Sequence, residues 1–268
     1  MNNNKLKKGI YIIPVILTCG NIACGYISII ASIDGNFTQA AWLIIIAIAF
    51  DMTDGRIARM TNTTSEFGVY LDSLGDSLSF GLAPAIMIYQ LVLKPMQKIG
   101  IAISCLFVLC SMLRLAKFNL QAHNKDKNII LNNFFIGLPT PASAGVLISF
   151  VLSYELFGFN SHNNYLTFKT IPVLMNNIYL FFKIMPIVMI VLSLLMVSNI
   201  PYISLKKINL AKPKAFRLLI LLVVIVWLML TFPQNTIFIL FSLYTISGIL
   251  GYTMKYWKFF VKRKKSGK

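Results

Sequence analysis

The chain has 268 residues, of which 57% are apolar and 13% aromatic, and its formal net charge at pH 7 is +17. Its mean hydropathy of +0.74 is higher than soluble domains show, so the composition excludes a soluble globular protein and indicates a polytopic membrane protein. The charge does not indicate a nucleic-acid partner, because Lys and Arg lie between and after the apolar runs and form no single basic domain. We expect anionic membrane lipid and a phosphorylated substrate as partners instead.

Apolar runs long enough to cross a bilayer, at about 20 residues per crossing, recur along the whole chain. They cover about residues 10–32, 37–58, 67–93, 98–118, 138–157, 178–198, 215–232 and 235–254. The sequence therefore predicts an all-α integral membrane protein with about eight transmembrane helices. The cysteines and histidines lack ligand-like spacing, so we interpret the cysteines as packing residues and the histidines as loop residues.

The distribution of Lys and Arg predicts the orientation. With the N-terminus inside, only Lys94, Lys98, Lys169 and Lys183 of the 25 basic residues fall on the outer side. The cytoplasmic ends of helices two and three then carry the acidic residues described next. Eight helices with a site on the cytoplasmic face suit a bacterial inner membrane. The last residues of the chain interleave aromatic rings with Lys and Arg, which favours contact with anionic headgroups.

Five of the eight acidic residues lie in one short window between positions 51 and 76. Asp51 and Asp54 share one face at the end of helix two, and Asp72 and Asp76 share one face of helix three. An isolated carboxylate costs several kcal/mol where water is scarce, so converging carboxylates must take up protons or bind a cation. Ligation by oxygen alone favours Mg²⁺ or Mn²⁺.

Small residues and an arginine follow the first aspartate pair. Gly55 permits a ligand to approach the backbone closely, and Ala58 keeps the same surface open. Arg59 can make bidentate contacts to phosphate oxygens, which a metal held by the aspartates would also bridge. The window therefore predicts a metal-phosphate site.

The complete spacing is Asp51-x2-Asp54-Gly55-x2-Ala58-Arg59-x8-Gly68-x3-Asp72-x3-Asp76. It resembles the signature of the CDP-alcohol phosphatidyltransferases at every defining position. The segments SEFGVYLDSLGDSLSFGLAPA, RLAKFN, GLPTPASAG and MVSNIPYISLKK resemble one branch of that family, the membrane-embedded CDP-diacylglycerol–serine O-phosphatidyltransferases. The resemblance extends from about residue 8 to residue 207.

The resemblance implies transfer of the phosphatidyl group from CDP-diacylglycerol to the hydroxyl of L-serine, giving phosphatidylserine and CMP. It implies a divalent metal, Mg²⁺ or Mn²⁺, and a homodimer. The implied metal ligands are Asp51, Asp54, Asp72 and Asp76, and Asp76 is also the implied general base. The implied CDP-binding residues are Gly55, Ala58, Arg59, Ser65 and Gly68.

Selection of serine requires a cation for its carboxylate, and Arg114 is the best candidate. Weaker candidates nearby are Asn119, Ser198, Asn199 and Tyr202. A structural alternative for Arg114 is anchoring at the membrane interface. The chain departs from the branch at Lys117, where the branch has Arg, and at Val15, where it has Asn, whereas Thr18 and Asn21 match its first helix.

The predicted organisation follows from the resemblance. It comprises a basic N-terminal interfacial segment at 1–9, a catalytic membrane domain of six helices at 10–207, two additional transmembrane helices at 208–256 and a basic tail at 257–268. We interpret the segment at 137–145 mainly as a break followed by small packing residues.

Two other functions remain open on the sequence. A sister enzyme would use glycerol 3-phosphate or inositol phosphate as acceptor, and it would need additional Arg or Lys near the metal. A non-enzymatic cation carrier is more remote, because the acids lie at one membrane face and the other apolar runs contain no comparable cluster.

Overall fold

The computed structural model describes the backbone of residues 3–61, 65–123, 134–156, 178–203, 223–224, 227–228, 231 and 233–266. Eight α-helices in this part of the chain are α1 (Asn3–Ile33), α2 (Phe37–Met60), α3 (Glu66–Asp76), α4 (Ala83–Ile88), α5 (Lys98–His123), α6 (Thr140–Leu156), α7 (Ile178–Val197) and α8 (Pro233–Ser266). Two short strands are β1 (Phe134–Ile136) and β2 (Pro201–Ile203). The predicted helical class is confirmed.

Four of these segments are long and apolar enough to cross a bilayer, and they are Ile12–Ile33, Glu66–Met96, Lys98–Leu120 and Asn235–Thr253. Two shorter apolar helices occupy Thr140–Leu152 and Lys183–Val197. These helices confirm the predicted membrane location. The prediction of eight crossings is not settled, because most of the predicted span at 215–232 lies outside the described residues.

Several helices have different ends from those predicted. Helix α1 begins at Asn3 and α8 continues to Ser266, so much of both basic terminal segments is helical. Lys and Arg have high intrinsic helix propensity, which allows the helices to continue through them. The segment from Glu66 to Met96 is one span in which α3 and α4 are joined by π-helical turns at Ser77–Leu82. Such turns are frequent at functional sites, and this one follows Asp76 directly.

The helices pack around α6, which is buried on nearly all sides from Ala142 to Leu152. A helix that is apolar around its whole circumference is expected at such a central position. The span Glu66–Met96 is also interior, with 61% of its most apolar window buried, compared with 22% for α1 and α8. The exposed apolar side chains of the outer helices include Ile16, Ile27, Leu109, Leu113, Leu243 and Leu250. This exposed surface suits contact with lipid chains.

A short antiparallel pairing, which the sequence did not predict, connects the start of α6 to the end of α7. Phe135 of β1 lies opposite Tyr202 of β2. Gly137 follows with φ of 84°, and its amide N–H donates to the carbonyl of Ile200 over 2.9 Å. A Cβ atom at Gly137 would collide with the carbonyl oxygen of Met196. Glycine is therefore required here by both conformation and space.

Candidate active site

Three aspartates from α2 and the following helix converge at one end of the bundle. One carboxylate oxygen each of Asp51, Asp72 and Asp76 lies within 4.8 Å of the others. Asp51 and Asp72 are half-buried, and Asp76 is 8% exposed. The hairpin between α2 and α3 thus brings together side chains separated by up to 25 positions, as the sequence spacing predicted.

The arrangement fits a divalent metal. Three carboxylates at this separation repel one another unless a cation or protons lie between them. Oδ1 of Asp72 is buried and has no hydrogen-bond partner among the described residues, which leaves it available as a ligand. Carboxylate oxygens are the ligands that hard divalent cations prefer. The triad can therefore hold such a cation.

Asp54, the fourth predicted ligand, is not part of this group of three. It is 4% exposed, and its Oδ2 accepts a hydrogen bond from Oγ1 of Thr18 over 2.8 Å. Thr18 belongs to α1, which packs along α2. The structure thus fixes the orientation of Asp54 from the first helix, and a role for it in metal binding stays a prediction.

A second contact from α1 reaches Asp76. Nδ2 of Asn21 donates to Oδ1 of Asp76 over 3.3 Å, and Oγ of Ser79 donates to the backbone carbonyl of Asn21 over 2.9 Å. Asn21 is fully buried, and its own Oδ1 has no partner among the described residues. Thr18 and Asn21 matched the family's first helix in sequence but received no role there. The sequence feature that could have indicated these contacts is the i, i+3 spacing of Thr18 and Asn21 within an apolar part of the helix.

The predicted CDP-binding residues lie beside the triad on α2 and at the start of α3. A Cβ atom at Gly55 would lie 3.8 Å from Nη1 of Arg59, so the guanidinium extends back along α2 over Gly55. Ala58 is half-buried and Arg59 is exposed. Gly55 and Arg59 are thus neighbours on α2, and the role of Gly55, Ala58 and Arg59 in CDP binding stays a prediction.

Ser65 and Gly68 contact each other. Oγ of Ser65 accepts a hydrogen bond from the backbone N–H of Gly68 over 3.0 Å, which makes Ser65 the N-cap of α3. Such a cap satisfies one of the free N–H groups at the start of a helix. The pair therefore fixes where α3 begins, at Glu66. Its role in CDP binding stays a prediction.

Arg114, the main serine-binding candidate, lies on α5 near the triad and interacts electrostatically with Asp76. It is 8% exposed, and its Nη1 donates to Oγ1 of Thr140 at the start of α6 over 3.1 Å. Its guanidinium carbon lies 5.5 Å from the ring centroid of Phe118. Nε has no hydrogen-bond partner among the described residues. The guanidinium is thus held by contacts within the protein, whereas simple anchoring would leave it exposed to headgroups.

Of the weaker serine-binding candidates, Asn119 and Asn199 join separate segments of the bundle, whereas Ser198 makes a local contact. Nδ2 of Asn119 donates to Oγ of Ser73 over 2.9 Å, which connects α5 to α3. Oδ1 of Asn199 accepts from Nζ of Lys117 over 2.7 Å. Oγ of Ser198 donates to the carbonyl of Leu195 over 2.8 Å at the end of α7. A role of these three residues in serine binding stays a prediction.

Tyr202, the last candidate, is fully buried on β2. Its hydroxyl has no hydrogen-bond partner among the described residues. Burial raises the pKa of Tyr202 to about 12, so the hydroxyl keeps its proton at neutral pH. Its ring centroid lies 5.7 Å from that of Tyr244 on α8. Sequence reasoning did not include Tyr244 or Thr140, since neither belongs to a pattern of spaced polar residues.

Comparison with known proteins assigns the sequence to a family. The family model of the CDP-alcohol phosphatidyltransferases matches residues 11–185, which include the aspartates and Arg114. The chain belongs to this family. The predicted membership is confirmed, and so is the prediction of an enzyme.

Curated relatives agree with this membership. A CDP-diacylglycerol–serine O-phosphatidyltransferase of Helicobacter pylori is 33% identical over 96% of this chain and 98% of its own length. An enzyme of the same name from Bacillus subtilis is 33% identical over 53% of this chain and 77% of its own length. An archaetidylserine synthase of Methanothermobacter thermautotrophicus is 39% identical over 57% of this chain and 63% of its own length.

The match to the CDP-alcohol phosphatidyltransferases covers only part of the candidate site. The aspartate triad, Arg114 and Thr140 lie inside the matched residues 11–185. Tyr202 and Tyr244 lie beyond them. The family model thus covers the aspartates, Arg114 and Thr140, whereas Tyr202 on β2 and Tyr244 on α8 lie outside its bounds.

Proposed function

We propose that this CDP-alcohol phosphatidyltransferase moves the phosphatidyl group of CDP-diacylglycerol to the hydroxyl of L-serine, giving phosphatidylserine and CMP. The observation that carries the proposal is the approach of Asp51, Asp72 and Asp76 within 4.8 Å of one another beside the buried cation of Arg114. The names of the Helicobacter pylori and Bacillus subtilis relatives support serine as the acceptor.

The metal would be held by Asp51, Asp72 and Asp76, with Asp54 adjacent to them. All-oxygen ligation favours Mg²⁺ or Mn²⁺. When bound, the ion supplies positive charge that polarises the phosphoanhydride and stabilises the departing phosphate. Gly55, Ala58 and Arg59 lie beside these ligands on α2. Arg59 would bind phosphate oxygens of the CDP group, and Gly55 would let that group approach the helix closely.

Asp76 is the proposed general base. The serine oxygen forms a bond to the phosphatidyl phosphorus, and the bond from that phosphorus to the oxygen of CMP breaks. The hydroxyl proton passes to a carboxylate oxygen of Asp76, and CMP leaves with the electron pair. The amide of Asn21 donates to Oδ1 of Asp76 and so fixes the orientation of the carboxylate that receives this proton. Positioning of the two reactants supplies a large part of the rate increase.

Arg114 is proposed to bind the carboxylate of serine. A guanidinium offers two parallel N–H groups to a carboxylate, and burial strengthens that contact. Thr140 already uses Nη1, whereas Nε has no partner among the described residues. Arg114 lies near Asp76, so a serine carboxylate bound there would place the serine hydroxyl close to its base.

The site is proposed to face the cytoplasm of a bacterial inner membrane, where the basic residues of the chain are concentrated in the predicted topology. Anionic lipid is proposed to contact the basic ends of α1 and α8. Homodimer formation is a further part of the proposal and rests on family resemblance alone.

The experiment that tests the function is release of CMP by the purified protein in detergent with CDP-diacylglycerol. L-serine, glycerol 3-phosphate and inositol phosphate are compared as acceptors, each with Mg²⁺, with Mn²⁺ and with a chelator. We expect release that requires both serine and metal. The Asp76→Asn variant should lose about a hundredfold or more in kcat, which is typical of removing a general base.

Asp34→Asn is the matched control, because Asp34 lies in the turn between α1 and α2 at the opposite end of both helices. Its kcat should equal that of the wild type. Release of CMP with a phosphorylated acceptor but not with serine would overturn the choice of acceptor. Absence of release with every acceptor would overturn the proposed phosphatidyl transfer from CDP-diacylglycerol.

A further inference from the structure

Helix α8 lies beyond the residues that the family model matches, yet it contacts β2, which carries Tyr202. Arg114 and Tyr202 are candidates for binding the acceptor, and the part of the site around them is called the acceptor side. A Cβ atom at Gly248 would collide with the ring of Tyr202, so α8 approaches β2 at a point where only glycine fits. A second close contact places Phe241 against Gly145 of α6. These two glycine contacts fix the position of α8 beside Arg114 and β2.

Two buried hydrogen-bond donors on this side have no acceptor among the described residues. They are Nε of Arg114, in a side chain 8% exposed, and the hydroxyl of Tyr202, in a side chain that is fully buried. Buried donors without acceptors are rare and unfavourable, and they commonly mark a place where a ligand supplies the missing atoms. Here the missing atoms are acceptors next to a positive charge, which is the chemistry of a carboxylate.

Tyr244 connects the two donors. Its ring centroid lies 5.7 Å from that of Tyr202, and its phenol lies within electrostatic range of the Arg114 guanidinium. Tyr244 is half-buried. It therefore packs against Tyr202 and lies near Arg114, which suits a positioning residue.

We propose that α8 completes the acceptor site, with Tyr244 positioning Arg114 and Tyr202 so that their free donors bind the carboxylate of the acceptor. This inference rests on the proposed function, since it assumes an amino-acid acceptor. It assigns part of acceptor selection to a helix outside the residues that the family model matches. Binding of CDP-diacylglycerol and metal should then be independent of α8.

The first test displaces α8 from β2. Gly248→Ala adds a methyl group against Tyr202, whereas Gly251→Ala adds one on the same helix where no atom lies within 4 Å. In the full-length enzyme, Gly248→Ala should raise KM for L-serine about tenfold and leave KM for CDP-diacylglycerol within about twofold of the wild type. Gly251→Ala should behave as the wild type.

The second test removes first the hydroxyl and then the ring of Tyr244. Tyr244→Phe should raise KM for serine about threefold, and Tyr244→Leu about tenfold or more, with little change in KM for CDP-diacylglycerol. The phenylalanine variant keeps the packing against Tyr202, so its folding is not in question. Partial rescue by phenylalanine relative to leucine separates the role of the ring from that of the hydroxyl.

The results that overturn the inference differ from those that overturn the function. If the wild type releases CMP with serine but the Gly248 and Tyr244 variants match Gly251→Ala, the inference fails and the function stands. A parallel rise of KM for both substrates also overturns it, because a merely structural role would do that. If the wild type uses only a phosphorylated acceptor, the function and the carboxylate pocket both fail.

Discussion

Nδ2 of Asn21 on α1 donates a hydrogen bond to Oδ1 of Asp76 over 3.3 Å, across 55 positions of sequence. Three residues earlier on the same helix, Thr18 makes the equivalent contact to Asp54. The first helix therefore orients one aspartate from each of the two helices that carry the acidic pattern. Both contacts are buried, where hydrogen bonds to charged groups are strong.

Removal of the Asn21 amide should lower the rate without weakening substrate binding. We expect Asn21→Ala to reduce kcat about tenfold, because Asp76 loses the group that orients it, while KM for CDP-diacylglycerol stays near the wild-type value. Steady-state kinetics measures both. Ser28→Ala is the matched control, since Ser28 is buried on the same helix and donates to the carbonyl of Ala40, away from the aspartates. Equal losses of kcat in both variants would contradict the role of Asn21 in orienting Asp76.

Neutralising a triad carboxylate should weaken metal binding. For Asp51→Asn and Asp72→Asn, the metal concentration that gives half-maximal activity should rise about tenfold to a hundredfold, because each variant loses one anionic ligand. Titration of activity with Mg²⁺ and with Mn²⁺ provides the measurement. Glu66→Gln serves as the control on α3, where Glu66 is exposed. An unchanged half-maximal concentration in both triad variants would exclude the triad as the metal site.

The hydroxyl of Thr140 should matter for the acceptor. Thr140→Val keeps the shape of the side chain but removes the atom that accepts from Arg114, so we expect KM for serine to rise about threefold to tenfold. Thr140→Ser should restore most of the affinity. Ser149→Ala, a buried change further along α6, should leave both KM values unchanged. If Thr140→Ser does not restore the affinity, the methyl group of Thr140, and not its hydroxyl, is important.

Lys117 and Asn199 should be coupled in stability. Nζ of Lys117 donates to Oδ1 of Asn199 over 2.7 Å and joins α5 to the segment after α7. A double-mutant cycle with Lys117→Met and Asn199→Ala should give a coupling free energy of about 1 kcal/mol. Thermal unfolding in detergent of the wild type, both single variants and the double variant measures it. Additive effects would show that the contact contributes nothing to stability.

The predicted orientation can be tested from the two sides of the membrane. In a chain whose four cysteines are replaced, Gln97→Cys should react with an impermeant maleimide added to intact cells, because it lies in the turn before α5. Thr61→Cys, in the turn after α2, should react only after permeabilisation. Both positions are exposed, so accessibility of the side chain is not limiting. The reverse labelling pattern would place the site on the outer face.

Much of the arrangement of the aspartates could be predicted from sequence. Asp51 and Asp54, and Asp72 and Asp76, lie at helical spacing on two helices joined by a short turn, so local geometry alone brings the pairs together. The membrane class followed from composition, because long apolar runs have few alternatives to crossing a bilayer. The π-helical turns after Asp76 and the pairing of β1 with β2 were not predicted, since both depend on contacts with distant helices.

The sequence by itself determined the helical membrane class, the family and which carboxylates lie near one another, because these depend on composition and on spacing within one or two helices. Only the tertiary structure decided which of the four aspartates group together and which side chains surround them. Thr18 and Asn21 reach the aspartates from α1, and Thr140 reaches Arg114 from α6. Tyr244 approaches from a helix more than 100 residues away in sequence from Arg114. Contacts between distant segments depend on the packing of whole helices, which no local pattern specifies.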